Sequence, residues 1–263
     1  MIRKFFNLIP KRVQEKIKLL YYNNKISGYS FSIEEANYRT KANKGWSILT
    51  LSPLYFIVKD VQRYERFYEI IPGDVVLDAG ANEGILSLIY SQKVTESGSI
   101  FAFEPDSKNR STFQKNLSLN TVTQNIYLQE KGLWRNSDII DFFEAGTVGS
   151  SMFYEDSNAI KKRIEVTSID EFVKLENLRK LDFIKMDIEG AEIEALAGAV
   201  ETIKFLRPNF AIASYHKIDG EYTYLNLEDF FKEIGYPYKT IFYDDGEIIT
   251  YAGDSLTQNI LIE

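Results

Sequence analysis

VVLDAGANEGILSL, running from Val75 to Leu88, is the stretch that decides how this chain folds. An apolar run ends on Asp78, a loop carries Gly80 and Gly84, and an apolar helical pattern resumes at Ile85. A strand, a tight turn and a helix whose N-terminus can face a ligand have this grammar. Enzymes of unrelated chemistries share it, so the stretch marks a region before it marks a reaction.

Outward from this turn the pattern alternates. Ile71-Pro72-Gly73-Asp74 is a turn feeding the first strand, and a helix follows near Glu83–Lys93. Next come a strand Ser99–Phe103, a helix Asp106–Leu119 and a strand Asn125–Gln129. Gly132–Met152 is irregular, with a hairpin-like IIDFF, and a strand Ile164–Thr167 leads to a short helix begun by Ser168 or Asp170. A strand Leu181–Met186, a helix Ala191–Phe205, a strand Asn209–Ala213 and a helix Leu227–Ile234 follow. Two strands, Lys239–Tyr243 and Asn259–Ile262, are expected to close the sheet as an antiparallel pair. Strands alternating with helices of this length imply βαβ units and a parallel sheet. IFAF, DFIKM and NFAIA are nearly all apolar, as strands covered on both faces should be. The expected fold is α/β and Rossmann-like, a mostly parallel seven-stranded sheet with helices on both faces. It occupies residues 61–263, and residues 1–60, with weak periodicity, form a helical and mixed N-terminal cap.

The whole chain narrows the function class. Its 263 residues, 44% hydrophobic with 17 Tyr and 18 Phe, can fill a sizeable core. A net charge of −7 argues against a general nucleic-acid binder. The absence of cysteine excludes disulfides, thiolate zinc sites and a cysteine nucleophile, and fits a cytoplasmic location. No apolar run reaches the roughly 18 residues of a bilayer span. The opening MIRKFFNLIPKRVQEKIKLL is basic but lacks the apolar core and cleavage site of a secretory signal. From Pro10, Val13, Ile17, Leu20 and Tyr21 fall at helical spacing among Lys and Arg. A helix packed on the domain edge is the expectation, and a membrane-surface or partner helix the alternative.

The turn itself discriminates between ligands. In open α/β sheets ligands sit beyond the carboxyl ends of the strands, where topology brings Asp78, Glu104, Asp187 and Ser214–His216 together. Glu104 follows Gly84 by 20 residues and ends the next strand, the place of an acid that accepts both hydrogen bonds of a ribose diol. A dinucleotide turn needs G-x-G-x-x-G so that a pyrophosphate can approach the helix. Here three residues separate the glycines, Asp78 begins the pattern, and Glu83 would meet the pyrophosphate with like charge. A cationic or zwitterionic ligand with a ribose fits better, and S-adenosylmethionine is one.

VVLDAGANEG, FAFEP, TSIDEF and IKMDIEGAEIEALAGA, in this order, resemble the FkbM-type family of S-adenosylmethionine-dependent methyltransferases. The likeness covers about Glu65 to Tyr236, and DIEGAE with its helix is its most specific part. The resemblance implies a class I methyltransferase fold that methylates a hydroxyl of a sugar, glycan precursor or natural product. It implies that Asp78, Gly80, Asn82 and Gly84 form the cofactor loop, that Glu104 holds the ribose, and that Gln129 to Gly132 lie near the adenine. The chain departs from the pattern in Ala-Ser-Tyr-His, where Ser214 stands in place of a Glu two residues before the His.

Methyl transfer to oxygen requires a positioned hydroxyl and a place for its proton. Asp187, Glu189, Glu192 and His216 are the candidates, with Asp187, His216 and Glu189 the catalytic set. Glu189 and Glu192 are one helical turn apart and could equally complement the helix dipole. His216, the only histidine, is the natural base near neutrality. Asp187, His216 and a nearby Glu could instead hold Mg²⁺ or Mn²⁺; no obligate metal is the expectation. Lys185 should reach the strand edge and could pair with Asp187 or another carboxylate. Asp170 reads as a helix N-cap, and Tyr215, Tyr222 and Tyr224 as a possible wall for a sugar ring. An O-methyltransferase acting on a small-molecule or glycan acceptor is the leading reading. The alternatives are an NAD-dependent oxidoreductase and a catalytically silent cofactor-binding module.

Overall fold

The computed structural model describes residues 9–43, 45–144 and 160–258. They form two compact units, divided between Asp60 and Val61.

In the first unit a helix, Lys11–Lys25, precedes three antiparallel strands, Tyr29–Glu34, Asn37–Ala42 and Ser47–Thr50. Phe31, Tyr55 and Val58 make a small apolar cluster, against which Leu19, Tyr22 and Ile26 pack. Tyr22 stacks on Tyr55 with ring centroids 4.0 Å apart. Asn23 pins the helix to the first strand: its Oδ1 accepts the Phe31 N–H and its Nδ2 donates to the Phe31 carbonyl. The helix therefore lies against this sheet through Leu19 and Tyr22. The stripe singled out from the sequence, Val13, Ile17, Leu20 and Tyr21, is exposed.

In the second unit a seven-stranded sheet carries the architecture. Its strands are β1 (Val75–Ala79), β2 (Ser99–Phe103), β3 (Ile126–Gln129), β4 (Phe183–Met186), β5 (Asn209–Ala213), β6 (Tyr238–Phe242) and β7 (Ile248–Ala252). The spatial order is β6-β7-β5-β4-β1-β2-β3. β3 through β5 run parallel, and β7 lies antiparallel between β5 and β6. The order reverses between β1 and β4, and at such a switch point the carboxyl ends of an open sheet leave a crevice. This is the expected class I architecture. β2 and β5 span the residues read from their apolar runs. The partner of β6 is corrected: it is Ile248–Ala252, every residue of which is buried. The strand expected at Asn259–Ile262 lies outside the described residues. Among these residues no helix is long and apolar enough to cross a membrane.

Helices on both faces close the core. They are α1 (Ile85–Val94), α2 (Ser107–Ser118), α3 (Ile169–Leu175), α4 (Glu192–Ala197), α5 (Val200–Leu206) and α6 (Thr223–Glu233). Phe101 and Phe103 of β2 meet Phe172 of α3 edge-on, at 5.2 and 4.9 Å between centroids. The helix expected over Ala191–Phe205 is two helices, α4 and α5. Any Cβ at Gly198 would sit 2.5 Å from the Trp134 carbonyl oxygen, so the chain passes this point as a bend packed against the neighbouring loop. Ser168 caps α3 through a capping box with Glu171, worth about 1 kcal/mol. Asp170 is a cap as well, but of another helix: its carboxylate accepts the N–H groups of Glu201 and Thr202 in the first turn of α5. The irregular patch after β3 contains a side sheet of Gly132–Leu133, Asp138–Glu144 and Ile160–Thr167.

Candidate active site

The glycine turn is built by packing. Gly80 and Gly84 both have positive φ, at 73° and 79°, a region that costs residues with a Cβ about 1–2 kcal/mol. A Cβ on Gly80 would lie 1.9 Å from the Asp187 carbonyl oxygen, and one on Gly84 would lie 2.0 Å from the Phe113 ring. The space the glycines open is thus filled by the end of β4 and by α2.

The amides of this loop are also committed. Gly80 and Ala81 donate to the Phe103 carbonyl, Gly84 to the Ala81 carbonyl, and Asn82 to Glu104 Oε2 at 2.7 Å. A pyrophosphate cradle offers backbone N–H groups to its ligand, and these four are already bonded. That agrees with the case against a dinucleotide made from the glycine spacing.

Behind the turn, Asp78 is fully buried and accepts from Ser87 Oγ at 2.6 Å. Lys185, buried on β4, places Nζ 3.2 Å from Asp78 Oδ1 and donates to the Ala79 and Gly80 carbonyls at 3.0 and 2.7 Å. Its carboxylate partner is therefore Asp78. This ion pair ties β1, β4 and the turn together. Asp78 serves the loop by holding it.

Glu104 ends β2 and is 5% exposed. Its Oε2 takes the Asn82 N–H and its Oε1 takes the Asp106 N–H at 2.8 Å. The Asn109 side chain bonds the same carboxylate, so its orientation is fixed from three sides. Burial pushes its pKa up to about 7 against the pull of these donors. Gln129 ends β3, where its carbonyl accepts the Glu104 N–H. Glu130 beside it pairs with Arg110 at 3.1 Å.

At the ends of β4 and β5 a second group assembles. His216, 6% exposed, places Nε2 3.6 Å from Asp187 Oδ1 and 3.5 Å from Glu189 Oε2. Its Nδ1 lies 3.1 Å from Glu192 Oε1. Glu192 is fully buried, and the same Oε1 accepts the Ile188 and Gly190 N–H groups. Glu189 and Glu192, one helical turn apart in sequence, do not share a helix, since α4 begins only at Glu192. Glu189 precedes α4 in a left-handed conformation, φ 57°, and they meet opposite edges of the imidazole. Burial alone would lower the His216 pKa, but Glu192, Asp187 and Glu189 outweigh it and raise it to about 9. Glu189 rises to about 7, mainly through burial, against the pull of His216.

Sequence reading missed Tyr64. Its hydroxyl donates to Asp187 Oδ2 at 3.1 Å, across 123 positions of chain, with no local motif to announce it. Ser214 turns away from the group, toward Thr250 Oγ1 at 3.0 Å and the Ile248 carbonyl at 3.2 Å. A carboxylate is therefore not needed at 214 to supply this group: Glu189 and Glu192 bring two from the β4 side. Tyr215 packs beside the His216 ring at 4.3 Å, whereas Tyr222 and Tyr224 pair with each other at 6.2 Å between centroids.

The methyltransferase FkbM domain family matches residues 78–238 of this chain, which take in both groups. Methyltransferase 1 of Beauveria bassiana is 28% identical over 167 residues, covering 54% of this chain and 66% of its own. The hexuronic acid methyltransferase AglP of Haloferax volcanii is 31% identical over 145 residues, covering 54% and 56%. The crystal structure of a methyltransferase FkbM from Methylobacillus flagellatus superposes with a TM-score of 0.55 at 24% identity, over 73% of this chain and 47% of that one. The chain thus spans less than two thirds of the length of these relatives.

Proposed function

The chain belongs to the FkbM methyltransferase family, and on that premise we propose that it transfers the methyl group of S-adenosylmethionine to a hydroxyl of a sugar, glycan precursor or natural product. One observation carries this reading. A buried carboxylate held by two backbone N–H groups, Glu104, and a carboxylate–imidazole group, Asp187–Glu189–His216, stand at the carboxyl ends of strands β2, β4 and β5 of one sheet, on either side of β1.

The division of labour follows from the two groups. Glu104 would accept the ribose hydroxyls, and the braced turn from Asp78 through Gly80 and Asn82 to Gly84 would border the cofactor. Gln129, beside Glu104 at the end of β3, borders the adenine. The Asp187–Glu189–His216 group receives the acceptor hydroxyl and removes its proton as the oxygen attacks the methyl carbon. The new C–O bond forms while the C–S bond breaks, and the sulfur keeps the bonding pair in S-adenosylhomocysteine. Because the sulfonium is already a good leaving group, the protein's contribution is positioning and proton removal.

The acceptor class draws on AglP, whose name specifies hexuronic acid. Tyr215 beside His216 supports a ring-shaped acceptor, since an aromatic face suits a sugar ring. Incubation with methyl-labelled cofactor and a panel of sugars and glycans tests this, with the product mapped by mass spectrometry. Label on a hydroxyl oxygen is expected. Label on nitrogen, or on no oxygen acceptor, contradicts it.

A further inference from the structure

The polar group at the ends of β4 and β5 contains buried atoms that nothing satisfies. His216 Nε2 and Asp187 Oδ1 are shielded from solvent and make no hydrogen bond. A buried polar atom left unpaired is costly; His216 Nδ1 and Glu192 Oε2 are unpaired too, and Nε2 and Oδ1, from residues 29 positions apart in sequence, are turned toward each other. Their separation of 3.6 Å is too long for a hydrogen bond, and Nε2 makes none to Glu189 Oε2 at 3.5 Å either.

Those spacings suit an atom placed between the donors. Ligand atoms about 2.2 Å from an octahedral cation lie roughly 3.1 Å apart at right angles, so the donors need close by only about half an ångström to hold one. Asp187, Glu189 and His216 each offer one donor, and the three atoms lie within 4.8 Å of one another.

The surroundings hold these donors in place. Metal-binding histidines usually present their second nitrogen to a carboxylate that fixes the ring. Glu192 occupies that place, 3.1 Å from Nδ1, and is itself anchored by two backbone N–H groups. Tyr64 takes Asp187 Oδ2, which leaves Oδ1 as the free oxygen of that carboxylate. The neighbouring cation, Lys185, is engaged with Asp78 and two carbonyls. From the sequence alone no obligate metal is expected; the geometry points the other way.

We propose that Asp187 Oδ1, Glu189 Oε2 and His216 Nε2 form a binding site for a divalent cation of the Mn²⁺ or Mg²⁺ type, with Glu192 as the residue that positions His216. Two carboxylate oxygens and one imidazole favour Mn²⁺ among these, and no thiolate is present to attract softer ions. Three protein ligands leave positions open for other oxygens. The inference rests on the methyl-transfer reading for its use, because a cation there makes a bound acceptor hydroxyl easier to deprotonate. It also narrows the acceptor to molecules that present two neighbouring oxygens, such as a vicinal diol or a hydroxyl beside a carboxylate.

The test is direct binding. Full-length protein is treated with chelator, dialysed, and titrated with Mn²⁺ while the electron paramagnetic resonance signal of the free ion is followed. One bound ion per chain is expected. Asp187→Asn and Glu189→Gln should each weaken binding at least tenfold, and Glu192→Gln by about ten- to a hundredfold, with circular dichroism confirming that each variant is folded. Glu189 is partly exposed at its loop. An undiminished free-ion signal with the unaltered protein overturns the site, as does wild-type binding by folded Glu189→Gln. A parallel calorimetric titration with S-adenosylmethionine separates the two claims. Cofactor binding without Mn²⁺ binding removes the cation site alone, and Mn²⁺ binding without cofactor binding removes the methyl-transfer reading.

Discussion

Glu192 Oε1 lies 3.1 Å from His216 Nδ1, and both side chains are buried. The contact leaves Nε2 as the edge of the ring that faces Asp187 and Glu189. A residue that by sequence could merely complement a helix dipole therefore sets the direction of the chain's only imidazole.

His216→Ala should lower turnover by at least a hundredfold while leaving cofactor affinity within about twofold, because removing a proton-handling group typically costs 10²–10⁴. Glu192→Gln should reproduce part of that loss. Steady-state kinetics beside calorimetry check both. Full activity in His216→Ala would remove the imidazole from the reaction.

Cofactor affinity should depend on pH through Glu104. The ribose hydroxyls donate to the carboxylate, so the ionised form binds, and affinity should fall about tenfold per unit below its pKa of about 7. Glu104→Gln should weaken binding and flatten this profile. The free protein shows the opposite sign. A raised folded pKa means that this group's contribution to stability is present below its ordinary value of 4.5 and is lost as pH rises through about 7. Urea titrations at several pH values, compared between the wild type and Glu104→Gln, measure it.

Lys185→Met should destabilise the fold by about 3 kcal/mol, since it strands Asp78 as a buried unpaired charge and leaves the Ala79 and Gly80 carbonyls without their donor. The double change Asp78→Asn with Lys185→Met should recover part of that loss. Additive losses in a double-mutant cycle would show that the pair is not coupled.

Gly84→Ala should cost more than 2 kcal/mol, from positive φ together with the overlap on Phe113. Adding Phe113→Ala should remove the overlap term, so the double variant should be more stable than the sum of the two single losses implies. Strict additivity would place the cost elsewhere.

Much of this was legible in the sequence because burial leaves a mark on residue type. β2 and β5 are covered on both faces, so SIFAF and NFAIA read as strands with their true ends. Glu104, Asp187 and His216 could be placed at the strand ends because the ends of parallel strands are where such a sheet keeps its polar residues. What depends on contacts between distant segments was not legible. Tyr64 reaches Asp187 from a helix with no motif, and Asp170 caps α5 instead of its own helix. Gly198 interrupts an otherwise helical pattern because of a carbonyl 64 positions earlier in the chain. The short antiparallel strands of the first unit bury few residues each, so their period-two pattern stays faint.

The central claim is that the crevice over β1 and β2 holds a sulfonium nucleoside. Calorimetric titration of the purified chain with S-adenosylmethionine and, separately, with NAD measures it most directly. The account predicts one-to-one binding of S-adenosylmethionine, weakened at least tenfold in Glu104→Ala. Binding of NAD alone, or affinity for S-adenosylmethionine unchanged in that variant, would contradict it.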